Sequence, residues 1–129
     1  MIENLIQNLF AINLGMMIFF SFVVAPVIFK VLDSKNAKKF VRKIFPYYYF
    51  VNLIVLLIVI GIFIFISSFI LDFYITLFIA ILFIFSLFIL MPMINKLKDR
   101  NDKKKFKYAH GLSVIINFVQ MIGLVYLVT

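Results

Sequence analysis

The chain has 129 residues, 66% of them hydrophobic, with 13 Lys or Arg against 5 Asp or Glu and a formal net charge of +8. One small globule cannot bury that much apolar side chain, whereas a bilayer solvates it from outside. The lack of cysteine excludes a disulfide framework and thiolate metal sites.

The charges divide the chain. Between Glu3 and Lys30 lie 26 residues without an acidic or basic side chain, between Lys43 and Asp72 28, between Asp72 and Lys96 23, and after Lys107 22, in which His110 is the one imidazole. About 20 apolar residues suffice to cross the hydrocarbon core. The spacing predicts an all-α membrane protein of four transmembrane helices, at about 4–29, 46–70, 74–95 and 109–128, forming a single domain over 1–129. The first span carries Glu3 where a signal peptide is basic, and it exceeds the length of a signal-peptide core, so it reads as a retained span.

All 13 basic residues fall in two loops. Lys30, Lys35, Lys38, Lys39, Arg42 and Lys43 follow the first span; Lys96, Lys98, Arg100, Lys103, Lys104, Lys105 and Lys107 follow the third. Basic residues beside spans stay in the cytoplasm. The expectation is a multi-pass protein of the bacterial inner membrane, with both termini and the Asp72 turn outside, arranged as two hairpins. The loops sit where anionic headgroups lie, so the partner they imply is the lipid surface rather than nucleic acid.

In the first loop Ala37, Phe40, Val41, Ile44 and Phe45 recur at helical spacing, with basic residues between them. This predicts a short amphipathic helix lying in the headgroup layer, N-capped by Ser34, between the first and second spans. Pro46 would then open the second span. The segments Pro26–Phe40 and Pro92–Phe106 align without gaps at an offset of 66, with seven of 15 positions identical. The matches, Pro26/Pro92 and Asp33/Asp99 among them, point to a duplicated hairpin and a parallel internal repeat.

Polar side chains inside spans mark the candidate site. His110, Ser113, Asn117 and Gln120 fall within an arc of about 80° on the fourth helix. Asn95 lies at the level of His110, near Pro26, Pro46 and Pro92. The stripe is expected to face the bundle interior and form a closed hydrogen-bond network, with His110 at the cytoplasmic rim. Ala11 and Gly15 in the first span read as a close-packing face. Haem or copper ligation would draw on His110 with Met91 or Met93, but a single histidine per chain argues against either cofactor.

Gly15, the run Phe19–Pro26, Phe29, Ala37, Phe45-Pro46-Tyr47-Tyr48, Met91-Pro92-Met93-Ile94-Asn95, His110-Gly111-Leu112-Ser113 and Asn117 occur in an order that spans nearly the whole chain. In this the chain resembles a domain of unknown function shared by small bacterial membrane proteins and the eukaryotic transmembrane protein linked to cisplatin resistance. The resemblance implies a four-helix membrane domain and brings no established reaction or ligand.

No Asp, Glu, Lys or Arg lies within a span, and no phosphate loop or nucleophile motif is present. The sequence therefore predicts a non-enzymatic membrane protein, either an accessory subunit of a larger complex or a small homo-oligomer. The alternative is a haem, metal or small-molecule binding or transport protein that uses the cytoplasmic end of the bundle around His110.

Overall fold

The computed structural model describes residues 1–129 and consists of helices joined by short turns. Its four long helices are α1 (Ile2–Val31), α2 (Ser34–Phe65), α3 (Leu71–Asp99) and α4 (Lys103–Val128), each long and apolar enough to cross a membrane. Connections of two to five residues force successive helices to run antiparallel. Each helix packs on the next, and α1 closes the ring on α4. The two basic loops lie at one end of the bundle and the Asp72 turn at the other.

The interior is small, and the outside is built for lipid. Only 28 of 129 residues are buried, centred on Phe10, Met17, Leu56, Phe83 and Leu124. Large apolar side chains such as Phe19, Phe88 and Ile122 are more than half exposed along the spans. That surface needs a hydrocarbon solvent. The close approach of α4 to α3 falls at Gly123, where an added Cβ would stand 2.9 Å from Ile79 Cδ1.

Local chemistry explains the ends of the helices. The Asp33 side chain accepts from the Asn36 N–H at 2.8 Å and caps α2. The N-cap is therefore Asp33 and not Ser34, because the carboxylate reaches the third amide onward. Asp102 caps α4 in the same way through the Lys105 N–H. The turns after α2 and α3 share one design. Ser67 (φ 54°) and Asn101 (φ 56°) take the left-handed conformation. The following amides, of Ser68 and Asp102, bond back to the Phe63 and Leu97 carbonyls, which closes both helix ends.

The structure departs from expectation at two places. The amphipathic segment is not a separate interfacial helix: it is the first third of α2, which runs without a break through Pro46 for 32 residues. Proline already holds a helical φ, and the hydrogen bond it cannot make is to the Arg42 carbonyl, near the polar end of the bundle. The second correction concerns Ala11 and Gly15, which are exposed, with nothing within 4 Å of a Cβ added at Gly15. The buried face of α1 instead carries Ile6, Phe10, Asn13 and Met17.

The aligned prolines share a backbone feature. Phe20–Val24 in α1 and Ser86–Leu90 in α3 are π-helical turns, 66 residues apart at both ends. Each ends two residues before its proline, and the Ala25 and Met91 amides bond five residues back, to Phe20 and Ser86. A proline ring crowds the carbonyl four residues before it, and widening the turn relieves the clash. The offset found in the sequence is thus repeated in the backbone.

Candidate functional site

The π turns border a cavity of about 570 Å³ at the basic end of the bundle, lined by all four helices. Its volume falls in the range of small-molecule sites, about 300–1,000 Å³. The wall is mainly aromatic and aliphatic. Phe20 stacks on Tyr48 with centroids 4.2 Å apart and meets Phe45 edge-on at 5.1 Å.

A polar chain crosses the deep end. The Tyr48 hydroxyl donates to Asn117 Oδ1, and Asn117 Nδ2 donates to Ser21 Oγ, each at 2.8 Å. These bonds join α2, α4 and α1. Deeper in the bundle, Asn13 Nδ2 donates to the Asn52 carbonyl at 2.9 Å, and Asn52 Nδ2 to the Tyr48 carbonyl at 2.7 Å. Gln120 Nε2 donates to the Ile79 carbonyl at 3.2 Å, which ties α4 to α3. The network is not closed as expected: the side-chain oxygens of Asn13, Asn52 and Gln120 are buried without a partner. An amide has more bonding positions than these crowded helix contacts fill.

The mouth is cationic. Lys38 and Arg42 of α2 and Lys98 of α3 line it. Arg42 donates to both Asp99 oxygens, at 2.6 and 3.2 Å, and to the Asn95 carbonyl at 3.0 Å. Lys38 joins the same carboxylate at 3.1 Å. The hydrogen bonds from Arg42, and then from Lys38, hold the Asp99 carboxyl below the usual carboxylate range. Lys98 has no carboxylate partner; its Nζ stands 4.9 Å from the centre of the Phe106 ring.

The polar stripe of α4 is divided between surroundings. Gln120 is buried against α3, and Asn117 sits at the cavity floor. Ser113 lines the cavity but bonds back to the His110 carbonyl at 2.6 Å. His110 stands at the rim of the cavity rather than in the core. It is exposed at the mouth, its ring parallel to Phe106 at 5.8 Å, because α4 starts at Lys103 and carries this turn beyond the packed core. Met91 is buried in the cavity wall, whereas Met93, two positions along the helix, is exposed and does not line it. Of the pairs His110 could form with a methionine, the structure places His110 and Met91 on the same cavity and leaves Met93 outside it. No three His, Asp or Glu side chains meet anywhere in the chain.

Sequence reasoning did not single out Arg42, Lys98, Tyr48 or Ser21. Ser21 offered a signal, as the one hydroxyl between Asn4 and Phe29. Arg42 and Lys98 offered none, each being one basic residue among several in its loop.

A family model described as "Domain of unknown function (DUF4149)" matches residues 8–103. The chain belongs to the DUF4149 family. Within this DUF4149 chain the matched stretch contains both π turns, Arg42, Tyr48 and Asp99, while His110 and Asn117 lie beyond it. An uncharacterized protein of Aquifex aeolicus (strain VF5) is 36% identical over 115 residues, covering 89% of this chain and 85% of that protein. No solved structure matches.

Proposed function

We propose that this is a multi-pass protein of the bacterial inner membrane, with its basic loops in the cytoplasm, that binds a small, mainly apolar molecule in the basic-end cavity. The observation that carries this reading is the cavity itself. Apolar walls with a few convergent polar groups are what ligand sites use, and here those groups are Tyr48, Asn117 and Ser21. The role is binding or transport without chemistry. Ser113 bonds to a backbone carbonyl rather than to an imidazole, so no nucleophile–base pair faces the cavity. The distribution of Lys and Arg supports the orientation. The resemblance to the eukaryotic protein linked to cisplatin resistance rests on the shared motifs and adds no ligand.

Native mass spectrometry of the gently solubilised protein tests the reading. A co-purifying molecule below about 1 kDa, lost on filling the cavity with Ser21→Phe, is the expected result. A second reading, an accessory subunit or homo-oligomer, is favoured by the exposed Ala11 and Gly15, since small residues four apart on a helix let another helix approach closely. The same spectra would then show a larger assembly, with partner subunits or further copies of this chain.

A further inference from the structure

The walls and mouth of the cavity differ in chemistry, and that difference names a ligand class. At the mouth stand Lys38, Arg42 and Lys98, with Asp99 the one carboxylate bonded to any of them, so three positive charges face one negative. Lys98 is left over after the ion pairs are made. The step from Arg42 to the deep Tyr48 is six residues of helix, about 9 Å, and the wall between is aromatic. An anionic head at the mouth with an apolar chain behind it matches both parts.

The structure also gives such a molecule a way in. Helix α1 packs on α4 through Ile2–Phe19, but beyond the π turn Ala25–Val31 packs on α2 instead. The α1–α4 seam therefore opens toward the basic end. Phe22 and Phe118 face each other across it edge-on at 6.1 Å, both line the cavity, and both are about half exposed to the outside. At the α2–α3 seam the corresponding opening is bridged by Arg42 and Lys38 on Asp99. At the offset of 66, the acid matching Asp99 is Asp33, whose side chain is engaged in capping α2, and the residue matching Arg42 is Tyr108. The repeat thus closes one seam with ions and leaves the other, beyond the Asn117–Ser21 hydrogen bond, to two aromatic rings.

We infer that the cavity takes a single-chain anionic amphiphile, a long-chain carboxylate or phosphate monoester, which enters from the bilayer between α1 and α4 and sets its head on Lys98, Arg42 and Lys38. This rests on the binding reading above and narrows it to one class and one route. The ligand keeps its bilayer orientation throughout, with its head at the interface and its tail in apolar surroundings, so entry requires no charge to cross hydrocarbon.

The test is native mass spectrometry of the delipidated full chain in non-ionic detergent, with palmitate, hexadecyl phosphate and hexadecanol added separately. One equivalent of palmitate or hexadecyl phosphate should be retained, with hexadecanol held at least tenfold more weakly. The tighter of the two anions identifies the head group. Lys98→Gln, which breaks no ion pair, should weaken the anions several-fold and leave hexadecanol unchanged. The triple variant Lys103→Gln, Lys104→Gln, Lys105→Gln, outside the cavity, should change neither. A palmitate with a diazirine at its tail end should label Phe22, Val114 or Phe118, and unlabelled palmitate should compete that labelling away. Equal retention of hexadecanol and palmitate would overturn the anionic class while leaving a binding cavity. Retention of none of the three would overturn the amphiphile class and its route, and the binding reading falls with it if no small molecule co-purifies with the untreated protein either. An equal loss in the triple variant would reduce the effect to general attraction by the basic loops, and competed labelling at the α2–α3 seam would overturn the route.

Discussion

Arg42 and Asp99 stand 57 residues apart in the chain, yet the guanidinium holds both carboxylate oxygens and so fastens the start of α2 to the end of α3. Lys38 shares the same carboxylate. A group with a depressed folded pKa contributes stability above its unfolded value, about 3.9 for Asp, and loses it as pH falls through the folded one. Thermal melts in detergent should therefore show Asp99→Asn destabilised at neutral pH, with the gap to wild type closing only below about pH 4. Because the pair is exposed, the gap should also shrink in high salt. A gap that persists at low pH would assign the effect to packing.

The chain Tyr48–Asn117–Ser21 predicts coupled losses. Tyr48→Phe and Asn117→Leu should each cost about 1 kcal/mol in the membrane. A double-mutant cycle between them should be non-additive, because both remove the same bond. By contrast His110→Ala should stay within about 0.5 kcal/mol of wild type, as expected for an exposed side chain. Unfolding in mixed micelles measures all three.

The π turns predict a trade of stability for cavity. Replacing Pro92 or Pro26 with Ala restores an amide donor and removes the ring that crowds the preceding turn. The variants should be more stable, by the equivalent of about 1 kcal/mol. They should also retain less ligand, since the widened turns form part of the wall. A variant that loses stability would mean that the π turns are held by tertiary packing and not by the prolines.

Orientation is open to direct measurement. Alkaline phosphatase fused after Thr129 should be active outside the cytoplasm, and the same enzyme inserted in the 98–105 loop should be inactive. Reversed activities would invert the protein in the membrane and place the cavity mouth on the outer face.

The four helices were legible because charge is excluded from hydrocarbon, so Glu3, Lys30, Lys43, Asp72, Lys96 and Lys107 bracket the spans by themselves. The site was only partly legible. Asn117 and Gln120 stood out as polar groups in an apolar run, and both make contacts across helices. Arg42 could not be told from its basic neighbours, because its role is set by a carboxylate that arrives from another helix. The inward face of the aromatic run Phe45–Phe50 was hidden for the same reason: Tyr48 and Tyr49 are buried and Tyr47 is exposed. His110 was expected at the rim and stands exposed at the cavity mouth, but periodicity, which gives a face, did not show that the helices part there.

The unbroken run of α2 through Pro46 has a mechanical consequence. Its 32 residues extend about 48 Å at 1.5 Å each, against a hydrocarbon core of about 30 Å. With no hinge at the proline, the basic first third cannot lie down on the membrane as a free amphipathic helix does. It instead continues the helix axis, and Lys35, Lys38, Lys39 and Lys43 are strung along about 12 Å of it at fixed spacing. Any attraction they exert on a charged surface is set by that rigid spacing and screened over a Debye length of about 10 Å at 0.1 M salt, so ionic strength can change it without moving a single apolar contact.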